Sequence, residues 1–117
     1  MLNKKDLSII KKIIIEDGGI TLNSDGKIAE LKNGYMVSLD GYEKKLKSIK
    51  LVDLKQVKSY LKTAKKLNAY VGFWLDDNTI YLDISININN KKIALKTAKE
   101  NKQLAIFNCK KKESIYL

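Results

Sequence analysis

The 117-residue sequence has no proline, no histidine and no arginine, and a single cysteine, Cys109. Without histidine the chain lacks the side chain most often used for acid–base chemistry near neutral pH, and a principal metal ligand as well. Most zinc sites, and nucleophile systems built on Ser/His or Cys/His pairs, are excluded together. One cysteine cannot close an internal disulfide, which agrees with a reducing compartment; Cys109 reads as an inert thiol beside a turn. No run of about 18 or more uncharged apolar residues is present. The segment from Met1 to Asp17 alternates charge with isoleucine instead of forming the apolar block of a signal peptide. The expected location is the cytoplasm of whatever cell makes the protein, with no membrane partner. Walker loops, a GxGxxG after a strand, GxSxG and CxxC are all missing, and Gly18-Gly19 follows a helix instead of opening one. No catalytic residue, metal or cofactor is expected.

What the chain does have is lysine. All 23 basic residues are lysine, against 13 acids, for a net charge of +10, and a field of that size attracts nucleic acid, anionic lipid or an acidic protein. Abundant isoleucine and asparagine beside the lysine also fit AT-rich codons, so genome composition is a competing source of the charge. Lysine is a compact point charge without the bidentate fork that arginine presents to guanine. Sequence-specific reading of G·C pairs is therefore not expected.

With 44% hydrophobic residues and no linker, low-complexity tract or repeat, the chain reads as one domain over residues 1–117. Asn3 caps a helix over about 4–16, with Asp6 at its third position and Leu7, Ile10 and Ile14 at helical spacing before Gly18 and Gly19. Short extended pieces follow: Ile20–Leu22, Lys27–Leu31 after an Asn23-Ser24-Asp25-Gly26 turn, and Tyr35–Leu39 after Asn33-Gly34. Residues 42–51 fit either a strand or a lead-in to the next helix. Asp53 caps that helix, whose stripe is Leu54, Val57, Leu61 and Ala64, ending near Asn68. Tyr70–Leu75 is an aromatic and β-branched run, and Asp76-Asp77-Asn78 a turn. From Thr79 to Ile88 strict alternation places Ile80, Leu82, Ile84, Ile86 and Ile88 on one face of a half-buried strand. Asn89 or Asn90 caps a third helix to about Asn101 with Ile93, Ala94 and Ala98 inward, followed by strands at Leu104–Phe107 and Ser114–Leu117. The expected class is α+β, in the order α-β-β-(β)-α-β-β-α-β-β, with about three helices on one face of an antiparallel sheet.

Charge is concentrated between residues 44 and 66, where Lys44, Lys45, Lys47, Lys50, Lys55, Lys58, Lys62, Lys65 and Lys66 face only Asp53, a net +8. On the helix, Lys55, Lys58, Lys62, Lys65 and Lys66 fall within about 100° of arc, apart from the apolar stripe. Like charges at these spacings repel, and no glutamate is interleaved. The segment is the candidate surface for nucleic acid or another anionic partner; the plainer reading is a solvated helix face. Lys92, Lys96 and Lys99, and Lys110 to Lys112, form smaller basic groups that read as solubility features. On the aromatic strand, Tyr70, Gly72 and Trp74 share a face that Tyr81 joins across the hairpin. That trio of aromatics is either a binding surface, with Gly72 leaving a flat slot, or a cross-strand cluster that stabilises the hairpin or lies beneath a helix. Asp76, Asp77 and Asp83 group carboxylates that could hold a divalent ion, but a turn and an outer strand face account for them.

The runs Tyr70-Val71-Gly72-Phe73-Trp74-Leu75-Asp76-Asp77, Tyr81-Leu82-Asp83-Ile84-Ser85 and Ala98-Lys99-Glu100-Asn101-Lys102-Gln103-Leu104-Ala105-Ile106-Phe107 resemble a C-terminal module of small proteins from phages, plasmids and integrative elements of AT-rich bacteria. The resemblance covers the C-terminal half and brings no catalytic residues with it. Some proteins of this size from such elements inhibit host defence systems, CRISPR nucleases among them, and others bind the element's DNA. The expectation is thus a non-catalytic basic binding protein that engages nucleic acid or a nucleic-acid-bound host complex. The alternative is a protein-interaction or self-assembly module that uses Tyr70, Trp74 and Tyr81.

Overall fold

Ile80, Leu82, Ile84, Ile86 and Ile88 project from one side of the strand Thr79–Ile88, and every layer of the molecule is organised by that row. In the computed structural model, which describes residues 2–117, the elements are α1 (Lys4–Asp17), β1 (Gly19–Leu22), β2 (Tyr35–Ser38), β3 (Lys44–Leu46), a 3-10 turn (Ile49–Leu51), α2 (Leu54–Leu67), β4 (Tyr70–Asp76), β5 (Thr79–Ile88), α3 (Lys91–Glu100), β6 (Ala105–Asn108) and β7 (Glu113–Tyr116). All pairings are antiparallel, in the order β1-β4-β5-β2-β6-β7, and β3 lies end to end with β2 along the same edge of β5. The expected α+β class and element order are seen.

The helices begin where side chains can take up their free N–H groups. Asn3 and Asp6 form a reciprocal capping box with two 2.9 Å hydrogen bonds. Asp53 Oδ1 accepts from the Gln56 N–H at 2.8 Å, and Asn90 Oδ1 from Ile93 at 3.1 Å. Gly18, at φ 81, ends α1 in the left-handed conformation that a side chain disfavours.

All three helices lie on the isoleucine side of the sheet. Ile10 and Ile14 of α1 and Val57, Leu61 and Ala64 of α2 bury Ile20, Leu22, Val71, Phe73, Ile80, Leu82 and Ile84. Ala94 and Ala98 of α3 approach Val37 and Ile106 in a second cluster, and Ile86 touches both clusters. The opposite side of the sheet carries no helix.

Two expectations are corrected, for Lys27–Leu31 and Ile93, and the alternatives open at residues 42–51 are settled. Lys27–Leu31 is not a strand: it makes one bridge, Leu22 to Ile28, because Asn23 Oδ1 accepts from the N–H groups of Asp25 and Lys27 and turns the chain locally. Residues 42–51 hold a three-residue strand, β3, and a 3-10 turn capped by Ser48. Ile93 does not point inward. It is 55% exposed, about 100° around α3 from Ala94, and the two alanines set which side docks.

Phe73 is fully buried at the centre of the larger core. Phe73→Ala is expected to lower unfolding free energy by roughly 3–5 kcal/mol, and Ile93→Ala by less than about 0.5 kcal/mol. Urea denaturation of both variants checks this, and comparable losses would overturn the assignment of the α3 face.

Candidate functional site

The nine lysines of residues 44–66 are all exposed, but they do not form one surface. Val57, Leu61 and Ala64 pin α2 against the sheet, and this turns Lys55, Lys58, Lys62, Lys65 and Lys66 outward from the helical layer. On β3 the alternation buries Leu46 against Ile80 on the helical side and sends Lys45, the partner of Tyr81, to the opposite side. There Lys45 Nζ sits 5.4 Å from the centroid of the Tyr81 ring, within cation–π range. Lys47 precedes the 3-10 turn between the two groups and Lys50 lies within it. Among the described residues the side-chain ion pairs are Lys12–Glu16 and Lys102–Asp40, neither of which uses any of the nine. The one acid within the segment, Asp53, is committed to the α2 cap. The smaller basic groups lie elsewhere, Lys92, Lys96 and Lys99 on α3, and Lys110 to Lys112 in the β6–β7 turn.

The aromatic strand presents its residues as the alternation requires. Val71 and Phe73 go to the core, while Gly72 and Trp74 face the side without helices, beside Asp83 and Tyr81 of β5. No helix covers Trp74, which is 43% exposed. Its ring lies 6.5 Å from that of Phe107 at an interplanar angle of 47°. Phe107 is on β6, three strands from β4 in the sheet order, which in a flat sheet is about 14 Å. The open face is therefore concave, and the two rings close over it. Between them is a cleft of about 390 Å³, with Thr21, Met36, Ser38, Asp83 and Ser85 among its lining residues.

Asp83 lies at the base of this cleft. The Ser38 hydroxyl donates to its Oδ2 at 2.8 Å, whereas Oδ1 is covered beside Gly72 and the Trp74 indole N–H, close to both but with no well-aligned hydrogen bond. Burial pushes its pKa above the ordinary carboxylate range; the Ser38 and Trp74 side chains and the Gly72 backbone pull it down in part, while Glu43 adds repulsion. Two glycines make the arrangement fit. A Cβ on Gly72 would collide with Asp83 Oδ1, and one on Gly19 would lie 2.5 Å from Trp74 Cε3. Trp74 is thus seated against the bare backbone of β1.

Asp76 and Asp77, at the hairpin end, are not brought to Asp83, which pairs with Gly72 farther along the strands. No group of three acids or cysteines able to hold a metal exists among the described residues. Cys109 is buried and free at the far end of the cleft, its pKa raised by burial.

Tyr70, Trp74 and Tyr81 were legible in sequence as one face. Phe107 and Ser38 were not, because they join Trp74 and Asp83 only through pairings between distant segments. The one local signal was alternation on β5, which places Asp83 and Ser85 opposite the isoleucine row.

Because the folded state holds the Asp83 proton at pH values where an unfolded aspartate has lost it, this group favours the fold most at low pH. That contribution is lost as pH rises through the raised pKa. Asp83→Asn is therefore expected to be more stable than the native chain near neutral pH, by about 1 kcal/mol, with the difference vanishing toward acid pH. Thermal melts from acid to neutral pH measure it, and a difference that does not change with pH would show the carboxylate to be solvated.

No protein-family description, no curated protein and no solved structure matches the chain.

Proposed function

We propose that this chain is a non-catalytic nucleic-acid-binding protein whose contact with the phosphate backbone is the lysine face of α2. The observation that carries the reading is Lys55, Lys58, Lys62, Lys65 and Lys66 on one outward arc of a helix whose Val57, Leu61 and Ala64 face is pinned in the core, with no carboxylate paired to them among the described residues. Five like charges at helical spacing repel one another by a few tenths of a kcal/mol per pair. A polyanion removes that cost and releases counterions as it binds.

At a rise of 1.5 Å per residue the ridge from Lys55 to Lys66 is about 16 Å long. That is enough for three or four phosphates on one strand of a backbone. Lysine without arginine favours charge recognition over the reading of base edges, so the contact is indifferent to sequence. A nucleic-acid-loaded host enzyme offers the same phosphates, and inhibition of a defence nuclease is the finer form of this reading, supported by the resemblance of the C-terminal half.

The expected result is binding to a short duplex whose affinity falls roughly 40- to 150-fold between 50 and 200 mM salt, as three or four phosphate contacts require. A variant with Lys55→Glu, Lys58→Glu and Lys62→Glu should lose most of that salt slope. Fluorescence anisotropy of a labelled duplex across a salt series measures both. Absence of micromolar binding at about 50 mM salt, where such contacts are strong, would overturn the reading and send the search to a protein partner.

A further inference from the structure

The concave open face lies on the other side of the sheet from α2, and the phosphate reading leaves it unused. From its geometry we infer that it is a stacking site for an unpaired, amino-bearing nucleobase of a single strand, held flat on Trp74 with its amine donating to Asp83. The inference rests on the nucleic-acid reading for the source of the base, and adds a site, a strand state and a base chemistry to it.

Three features carry the assignment. The first is a fixed aromatic platform. One face of Trp74 is seated over Gly19, and with 43% of the residue exposed the ring is held in place before a ligand arrives. Stacking on such a platform is the common way of holding unpaired bases, and it is closed to a base inside a duplex.

The second is the chemistry of the floor. The cleft is lined by Asp83 and the hydroxyls of Thr21, Ser38 and Ser85, and by no lysine. A carboxylate at the base repels phosphate and accepts N–H donors. The 4-amino group of cytosine or the 6-amino group of adenine supplies such a donor, whereas thymine presents a carbonyl oxygen at the equivalent position.

The third is the rim. A second cleft of about 400 Å³ shares Ser38 and Asp83 with the first and adds Lys44, Lys45, Glu43 and Tyr81. The acceptor floor therefore runs into a margin with two ammonium groups and one carboxylate, the latter held by the Gln103 amide. Lys45 stands on β3, two strands from Trp74 on β4, about 10 Å away. A strand whose base enters the acidic end would bring its phosphates toward the basic one.

Trp74 is the single tryptophan of the chain, so its emission reports stacking while anisotropy of a labelled oligonucleotide reports binding in the same sample. With oligo(dC) and oligo(dT) of about ten nucleotides and a duplex of equal length, the single strands should quench Trp74 at saturation and the duplex should not. Oligo(dC) should bind more tightly than oligo(dT) by roughly fivefold or more, the worth of one hydrogen bond to the Asp83 carboxyl that thymine cannot make. Asp83→Asn should erase that preference, and Phe107→Leu should weaken single-strand binding alone. Binding without quenching, equal quenching by duplex, or a dC preference that survives Asp83→Asn would each overturn the inference. The α2 triple glutamate variant separates the two readings. Loss of duplex affinity without any quench by single strands sinks only the stacking site; quenching that persists while duplex affinity is unchanged sinks only the α2 contact. Failure of all the oligonucleotides to bind sinks both.

Discussion

The register of β5 is the constraint on which the rest of the structure depends. Its core-facing row, from Ile80 to Ile88, is the floor of both hydrophobic clusters, and its other row, Tyr81, Asp83, Ser85 and Asn87, forms the middle of the open face. Because side chains alternate with a period of two, a slip of one residue would exchange the rows. A carboxylate would then lie under the helices and five aliphatic side chains would face water. The core and the cleft are set by the same decision, and the aliphatic burial that favours folding also fixes where Asp83 sits.

The division between the two sides of the sheet gives the molecule two chemically distinct surfaces. The helical side ends in ammonium groups that crowd one another on α2, and the open side carries a half-buried carboxylate, Asp83, among aromatic rings and hydroxyls. Lys44 and Lys45 on β3 stand at the junction of the two surfaces. Net charge describes only one of these surfaces; the other is concealed in it, since one aspartate among 23 basic residues is invisible in a sum.

Features written within about ten residues of chain are legible in the sequence alone. The Asn3 and Asp53 caps, the Val57, Leu61 and Ala64 stripe, the alternation of β5 and the faces of β4 all follow from local periodicity and hydrogen-bonding chemistry. Where several positions were equally apolar, as on α3, periodicity did not say which would dock, and Ile93 turned outward while the smaller Ala94 and Ala98 allowed the closer approach. β3 is too short and too lysine-rich to declare itself, and exists because β5 extends beyond β2 and offers it an unpaired edge. The meeting of Ser38, Asp83, Trp74 and Phe107 depends on three pairings and on the curl of the sheet. No local pattern encodes it.

The β4–β5 hairpin closes through a turn at Asp77 and Asn78, whereas Ile20 waits for Phe73 and Val37 for Ile86, partners about fifty residues away. Closing loops of that length costs entropy before any contact repays it. The hairpin is thus the template on which β1 and β2 condense, and during synthesis the segment carrying α1 to β3 emerges with nothing to pair against. From Lys4 to Leu46 eight lysines face seven acids, so the waiting segment has almost no net charge of its own, and most of the chain's positive charge emerges only behind it, where it gives nascent copies their mutual repulsion.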